Sequence, residues 1–228
     1  MTASFDTARP TRLRHGRADL ALHHLRGGDG RPLLLLHGLG EASPATVPGH
    51  LAHWPGPVLA LDFTGHGAST HALAGGYTAE ILMADVVTVL AHTGPVTVLG
   101  RGLGAYIALL AAGARPGLVR GAILTDGPGL VGGGVRPSSQ YVLSGPVADP
   151  HGPDPFVVFE MAQDVRPPDY AVEYLRLLLA DTDLPQPLAV CTVVRPGWLD
   201  AVVAEGGDRV AEVGLDKALA LYASGAGS

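Results

Sequence analysis

Leu33-Leu34-Leu35-Leu36 runs directly into His37-Gly38-Leu39-Gly40, and the same join of a short apolar run to a glycine-bearing turn recurs at residues 58–69 and 95–104. An apolar run without alternation does not suit a strand with one face in water. It suits a strand buried on both faces, the condition of a parallel sheet covered by helices. Strands are expected at 19–25, 32–37, 58–62, 95–100, 121–126 and 188–194, and four of these are almost unbroken Val, Leu, Ile and Ala.

Helical spacing fills the gaps between them. Leu82, Val86, Val89 and Leu90 recur with helical period behind Thr78, a natural cap, with Glu80 in the first turn. Residues 103–114 form an Ala/Leu-rich segment, and 170–180, opened by Pro167, Pro168 and Asp169, carries Val172, Leu175, Leu178 and Leu179 on one face. Strands that alternate with helices predict an α/β fold, mostly parallel, with helices on both faces. At 228 residues one domain, 1–228, is expected. The stretch 127–168 breaks the rhythm with Gly132, Gly133, Gly134, Pro137, Pro146, Pro150, Pro153 and Pro155, and is read as a short lid insertion.

Composition narrows the class. A formal net charge of -6 argues against a nucleic-acid partner, whose phosphates demand a basic face. One cysteine, Cys191, excludes an internal disulfide or a multi-cysteine metal site. The amino-terminal residues are studded with Arg, Asp and His and show no leader or anchor, and no apolar run approaches the ~20 residues needed to span a bilayer. A cytoplasmic protein without a membrane partner is the expectation. His23 and His24 are consecutive on a strand and so face opposite sides; no metal signature and no cofactor motif is found.

Three loops lie at carboxyl ends of expected strands, where open α/β sheets place ligands. They are His37-Gly38-Leu39-Gly40, Asp62-Phe63-Thr64-Gly65-His66-Gly67-Ala68-Ser69 and Gly100-Arg101-Gly102-Leu103-Gly104. In this order and spacing, with an Asp85-bearing helix before the third, the chain resembles the α/β-hydrolase superfamily from about Asp19 to at least Asp126. The resemblance implies an α/β-hydrolase fold and makes the third loop the nucleophile elbow, a Gly-x-Ser-x-Gly turn.

Here the nucleophile position is Gly102, which has no hydroxyl to form an acyl-enzyme. The superfamily's triad histidine follows the last strand, yet none of the ten histidines lies beyond His151, and residues 209–216 offer Leu215 or Asp216 instead. Asp126 and Asp200 remain as candidates for the triad acid, with no histidine to orient. What the resemblance leaves is a pair of main-chain N–H groups, of Leu39 and Leu103, converging on one point at a helix start. Arg101 adjoins them.

The leading reading is a catalytically silent or atypical member that binds a small carbonyl-bearing or anionic molecule through Gly38, Leu39, Arg101, Gly102 and Leu103. An alternative is an enzyme, hydrolase or lyase, that avoids an acyl-enzyme and uses His37, Asp126 or His151 as acid or base. A third is an interaction protein with a vestigial pocket. His37 and His66 are expected to serve the loop scaffold, Ser69 to fix backbone, and Cys191 to pack as a small hydrophobe.

Overall fold

A computed structural model of the chain describes residues 9–72, 75–130, 152–164 and 166–223. Among these residues eight strands form one sheet: β1 (Thr11–His15), β2 (Ala18–Arg26), β3 (Leu33–Leu36), β4 (Val58–Asp62), β5 (Val96–Arg101), β6 (Val119–Thr125), β7 (Leu188–Cys191) and β8 (Val210–Glu212). Their order across the sheet is β1-β2-β4-β3-β5-β6-β7-β8. Pairings of β1 with β2 and of β2 with β4 are antiparallel, and all others are parallel.

The apolar runs explain the centre of this sheet. Every residue of β3 and β4 is buried, as is every residue of β5 up to Gly100. Leu34 and Leu36 belong to a core shared with α1 (Ala79–Thr93), α2 (Leu103–Ala114), α4 (Pro168–Ala180) and α5 (Gly197–Gly206), with α3 (Pro155–Gln163) also contributing. Leu33 and Leu35 face the other way, into a smaller core with Trp54, Ile123 and Tyr222, the last on α6 (Leu215–Ala223). Helices thus cover both faces, but unequally. α2 is buried from Leu103 to Gly113, so its whole surface is core, as a central helix requires.

The sheet order fixes where a site can form. The chain leaves β3 for β4 on one side and then crosses to β5 on the other, so β3 and β5 are neighbours whose connections diverge. That is the switch point of an open α/β sheet, and the loops after β3 and β5 meet there.

Differences from the sequence expectation sit at the periphery. β1 has the sequence Thr-Arg-Leu-Arg-His and alternates between partly buried and exposed, without the continuous apolar signal of the centre. β8 is only three residues long. β7 ends at Cys191 rather than at 194, and the Val193 and Val194 amides turn to donate to the Asp126 carboxylate. Within 127–168, where the glycines and prolines leave little room for a long helix, the nine-residue α3 starts at Pro155 behind the Asp154 cap. Residues 131–151 lie outside the described ones.

Candidate functional site

The elbow is built from close approach of main chain. Gly102 takes φ 59° and ψ −119°, a conformation costly for any residue with a Cβ, and opens α2 as its cap. A Cβ on Gly104 would lie 2.4 Å from the Leu36 carbonyl oxygen, so only glycine lets α2 settle against the end of β3. The Gly104 amide donates to the His37 carbonyl at 3.1 Å, tying the two loops together.

Two amides then point at one atom. Leu39 N donates at 3.0 Å and Leu103 N at 2.8 Å to the same acceptor, the carbonyl oxygen of Pro128. Leu103 is the first residue of α2, so its N–H has no partner within the helix, and the positive end of the helix dipole adds to it. The anion, or water, expected there is replaced by the chain's own peptide oxygen. The turn that delivers it follows β6. Gly102 N donates to Thr125 O at 3.0 Å, and the Leu130 carbonyl accepts from the Trp198 indole at 2.8 Å, so both ends are held.

The fit leaves no room for a side chain at position 102. A Cβ there would lie 2.1 Å from the Pro128 oxygen and 2.6 Å from the Gly127 carbonyl carbon. Gly38 and Gly129 are also tight, though less so: their Cβ atoms would meet Pro128 Cδ at 2.9 Å and Leu39 Cβ at 2.8 Å. Gly127-Pro128-Gly129 was not singled out as a site segment in the sequence; two glycines flanking a proline just beyond a strand end are the signal that marks such a close-packed turn.

Arg101 does not stand as a lone positive charge. Its Nη1 donates to Glu41 Oε1 at 2.6 Å, while Glu41 Oε2 accepts from Gly38 N at 2.9 Å. The loop after β3 and the end of β5 are therefore bridged by an ion pair beside the elbow.

Of the candidate acids and bases, His37 and Asp126 are engaged elsewhere. His37 is buried, donates from Nδ1 to the Gly38 carbonyl at 2.8 Å and accepts at Nε2 from Phe63 N at 3.2 Å, the tautomer following from Phe63 N being a donor. Burial pushes its pKa down, and neither ring nitrogen is left for a substrate proton. His66, also buried, accepts from Gly40 N at 3.3 Å, and burial together with neighbouring His37 pushes its pKa down to about 3. Asp126 accepts from Val193 N at 2.7 Å and Val194 N at 2.9 Å, which anchors the loop after β7. Asp200 is exposed in the first turn of α5, and Leu215 and Asp216 open α6 just beyond β8. His151 lies outside the described residues.

Loop two is scaffold. Asp62 accepts from His23 Nε2, Ala68 N and Ser43 N; although burial pushes its carboxyl up, these bonds hold it well below the usual carboxylate range. Ser69 Oγ accepts from Ala21 N at 2.9 Å and donates to the Asp62 carbonyl at 2.5 Å, so it fixes backbone. Cys191 is half-buried, with its thiol pushed up to about 11 by burial, which leaves it a poor nucleophile. Among the described residues no group of three or more His, Cys, Asp or Glu is placed to hold a metal, and no helix is long and apolar enough to cross a membrane.

α3 packs over the loop ends from the other side. Tyr77 Oη donates to Asp154 Oδ2 at 2.6 Å, Asp154 N donates to the Gly65 carbonyl at 2.8 Å, and Glu160 accepts from the amides of Gly76 and Tyr77.

Comparison with known proteins agrees with this fold. The (E)-2-((N-methylformamido)methylene)succinate hydrolase of Acinetobacter baylyi is 32% identical over 111 residues, 46% of this chain and 41% of that protein. The chain thus matches less than half the length of that relative. The thioesterase domain from the curacin biosynthetic pathway superposes with a TM-score of 0.65 at 19% identity, covering 95% of this chain and 98% of that one, a likeness of fold. The alpha/beta hydrolase family profile matches residues 33–225, most of the chain. With that match and the sheet order above, the chain belongs to the alpha/beta hydrolase family.

Proposed function

We propose that this chain is a binding protein of the family rather than a hydrolase, and that its elbow takes a neutral carbonyl oxygen where a hydrolase would stabilise an oxyanion. One observation carries the reading: Leu39 N and Leu103 N already share a neutral carbonyl, that of Pro128, at 3.0 and 2.8 Å. A group that replaced it would meet the same two main-chain donors, and the Arg101 Nη1 that lies beside Gly127 is already held by Glu41. That environment favours an amide, ketone or ester carbonyl over a carboxylate or phosphate. Chemistry through an acyl-enzyme has no hydroxyl at position 102, no histidine beyond His151 and no space for a side chain above the elbow.

A second reading, an interaction protein with a vestigial pocket, is favoured by the tight seating of Gly127-Pro128-Gly129 on Gly102, Leu39 and Leu103. One titration separates the two. The amide signals of Leu39 and Leu103 are followed by nuclear magnetic resonance as N-methylacetamide or acetate is added. Binding at the elbow moves both signals with the amide and neither with acetate. A vestigial pocket leaves both unmoved. Hydrolysis is tested separately with a fluorophosphonate probe and short-chain nitrophenyl esters. Stoichiometric labelling of native protein that disappears on heat denaturation would overturn the non-hydrolytic reading.

A further inference from the structure

On the face of the sheet opposite α1 and α2, the connection from β3 to β4 supplies only one short 3-10 turn, Gly49–Leu51. Cover is thin there. Leu35 and Leu99, adjacent across β3 and β5, keep 6% and 7% of their surface, whereas Leu33 and Ile123 on the same face keep 0%. Above them lies a cavity of about 420 Å³. Its apolar wall comes from Leu35, Leu36, Leu51, Leu99, Pro44 and Pro48. Arg101 and Glu41 also line it.

The size is that of a ligand pocket. Small-molecule sites run from about 300 to 1,000 Å³, and a cavity of ~150 Å³ already holds benzene. An eight-carbon chain fits that volume, and each methylene buried against leucine strengthens binding about fourfold before ordering costs. Charge then selects the head group. The Arg101 side chain is 48% exposed, and only its Nη1 is engaged, by Glu41. Among the described residues Nε and Nη2 carry no hydrogen bond, so one edge of the guanidinium fork is left to meet a planar carboxylate. Glu41 cannot swing to satisfy that edge without giving up the Gly38 amide that its other oxygen holds.

We infer that this cavity is a binding site for a medium-chain aliphatic carboxylate, with the tail on Leu35, Leu51 and Leu99 and the head on the free edge of Arg101. It is distinct from the elbow pair in its lining: the elbow amides bond the Pro128 carbonyl, whereas none of Leu39, Leu103 and Pro128 lines this cavity. The inference does not depend on what the elbow does.

Isothermal titration of the full chain with octanoate and with octanol tests it. Octanoate is expected to bind, and octanol at least tenfold more weakly. Ala42→Trp, at an exposed position lining the cavity, fills the space from the loop without touching the core and is expected to abolish both. Arg101→Gln is expected to bring octanoate down to the level of octanol, with circular dichroism confirming that each variant is folded. No binding of octanoate to the wild-type chain at millimolar concentration overturns the site. Undiminished binding in Ala42→Trp overturns its location, and equal affinity for acid and alcohol overturns the role of Arg101.

Discussion

Gly102 and Pro128 are in main-chain contact so close that a Cβ on residue 102 would stand 2.1 Å from the Pro128 carbonyl oxygen. Position 102 is therefore covered from above, and its glycine and the seating of the β6 turn are one structural fact. A serine placed there has to displace that turn or fail to pack.

Gly102→Ser is accordingly expected to lose more stability than its backbone conformation alone implies. A non-glycine residue at this φ costs ~1–3 kcal/mol, and the main-chain overlap adds to it, so a total of about 3 kcal/mol is expected. Denaturant unfolding measures this. Gly102→Ala should lose nearly as much, because the Cβ and not the hydroxyl is responsible. Neither variant is expected to hydrolyse nitrophenyl esters, since among the described residues no histidine stands beside the elbow with a free ring nitrogen.

Asp85 is fully buried on α1 and accepts from Thr64 N at 2.8 Å, Thr64 Oγ1 at 2.9 Å and His15 Nδ1 at 2.6 Å. Asp85→Ala would strand the Thr64 amide and hydroxyl without partners. A loss of about 2–4 kcal/mol is expected, read from the denaturation midpoint. Thr64→Val, which removes only the hydroxyl, should lose less.

The same pair sets a pH dependence. The hydrogen bond to Asp85 raises the pKa of His15 above its ordinary value of 6.5, against the opposing effect of burial. A group whose folded pKa is raised contributes stability that is complete below its unfolded pKa and is lost as pH rises through the folded one. Unfolding midpoints at pH 6 and pH 8.5 should therefore differ more in the wild-type chain than in His15→Gln. An equal pH response in the two chains would show that His15 does not carry the effect.

How far the sequence could be read follows from where each signal originates. Leu33–Leu36 and Val58–Asp62 announce themselves because strands buried on both faces need no alternation. β1, with Leu13 as its one aliphatic residue among Thr, Arg and His, borrows its place from pairing with β2, a tertiary relation that local composition does not carry. The elbow is legible because its glycine spacing is local: Gly100, Gly102 and Gly104 fall within one strand–turn–helix unit, although the main chain that presses on Gly102 and Gly104 comes from the β6 turn and the end of β3. Its occupant is not. Pro128 reaches Leu39 and Leu103 only because β6 lies beside β5 and ends level with it, with Arg101 paired to Thr125. The Glu41–Arg101 pair is hidden for the same reason, being 60 residues apart in sequence.

Shared dependence on one oxygen makes the last prediction sharp. Leu103 N has no intrahelical acceptor and Leu39 N lies in a loop, and among the described residues each donates to Pro128 O. Their hydrogen-exchange protection should therefore report the seating of that turn and nothing else, and it should be gained or lost together. In the wild-type chain both amides are expected to exchange slowly, like the core of α2. Pro128→Gly keeps the carbonyl but frees the φ angle that proline fixes, so the turn should leave more often and both amides should exchange at least tenfold faster, while Ile107 in the middle of α2 is unchanged. Acceleration of Leu39 without Leu103, or the reverse, would show that the two donors do not rest on a common acceptor in solution.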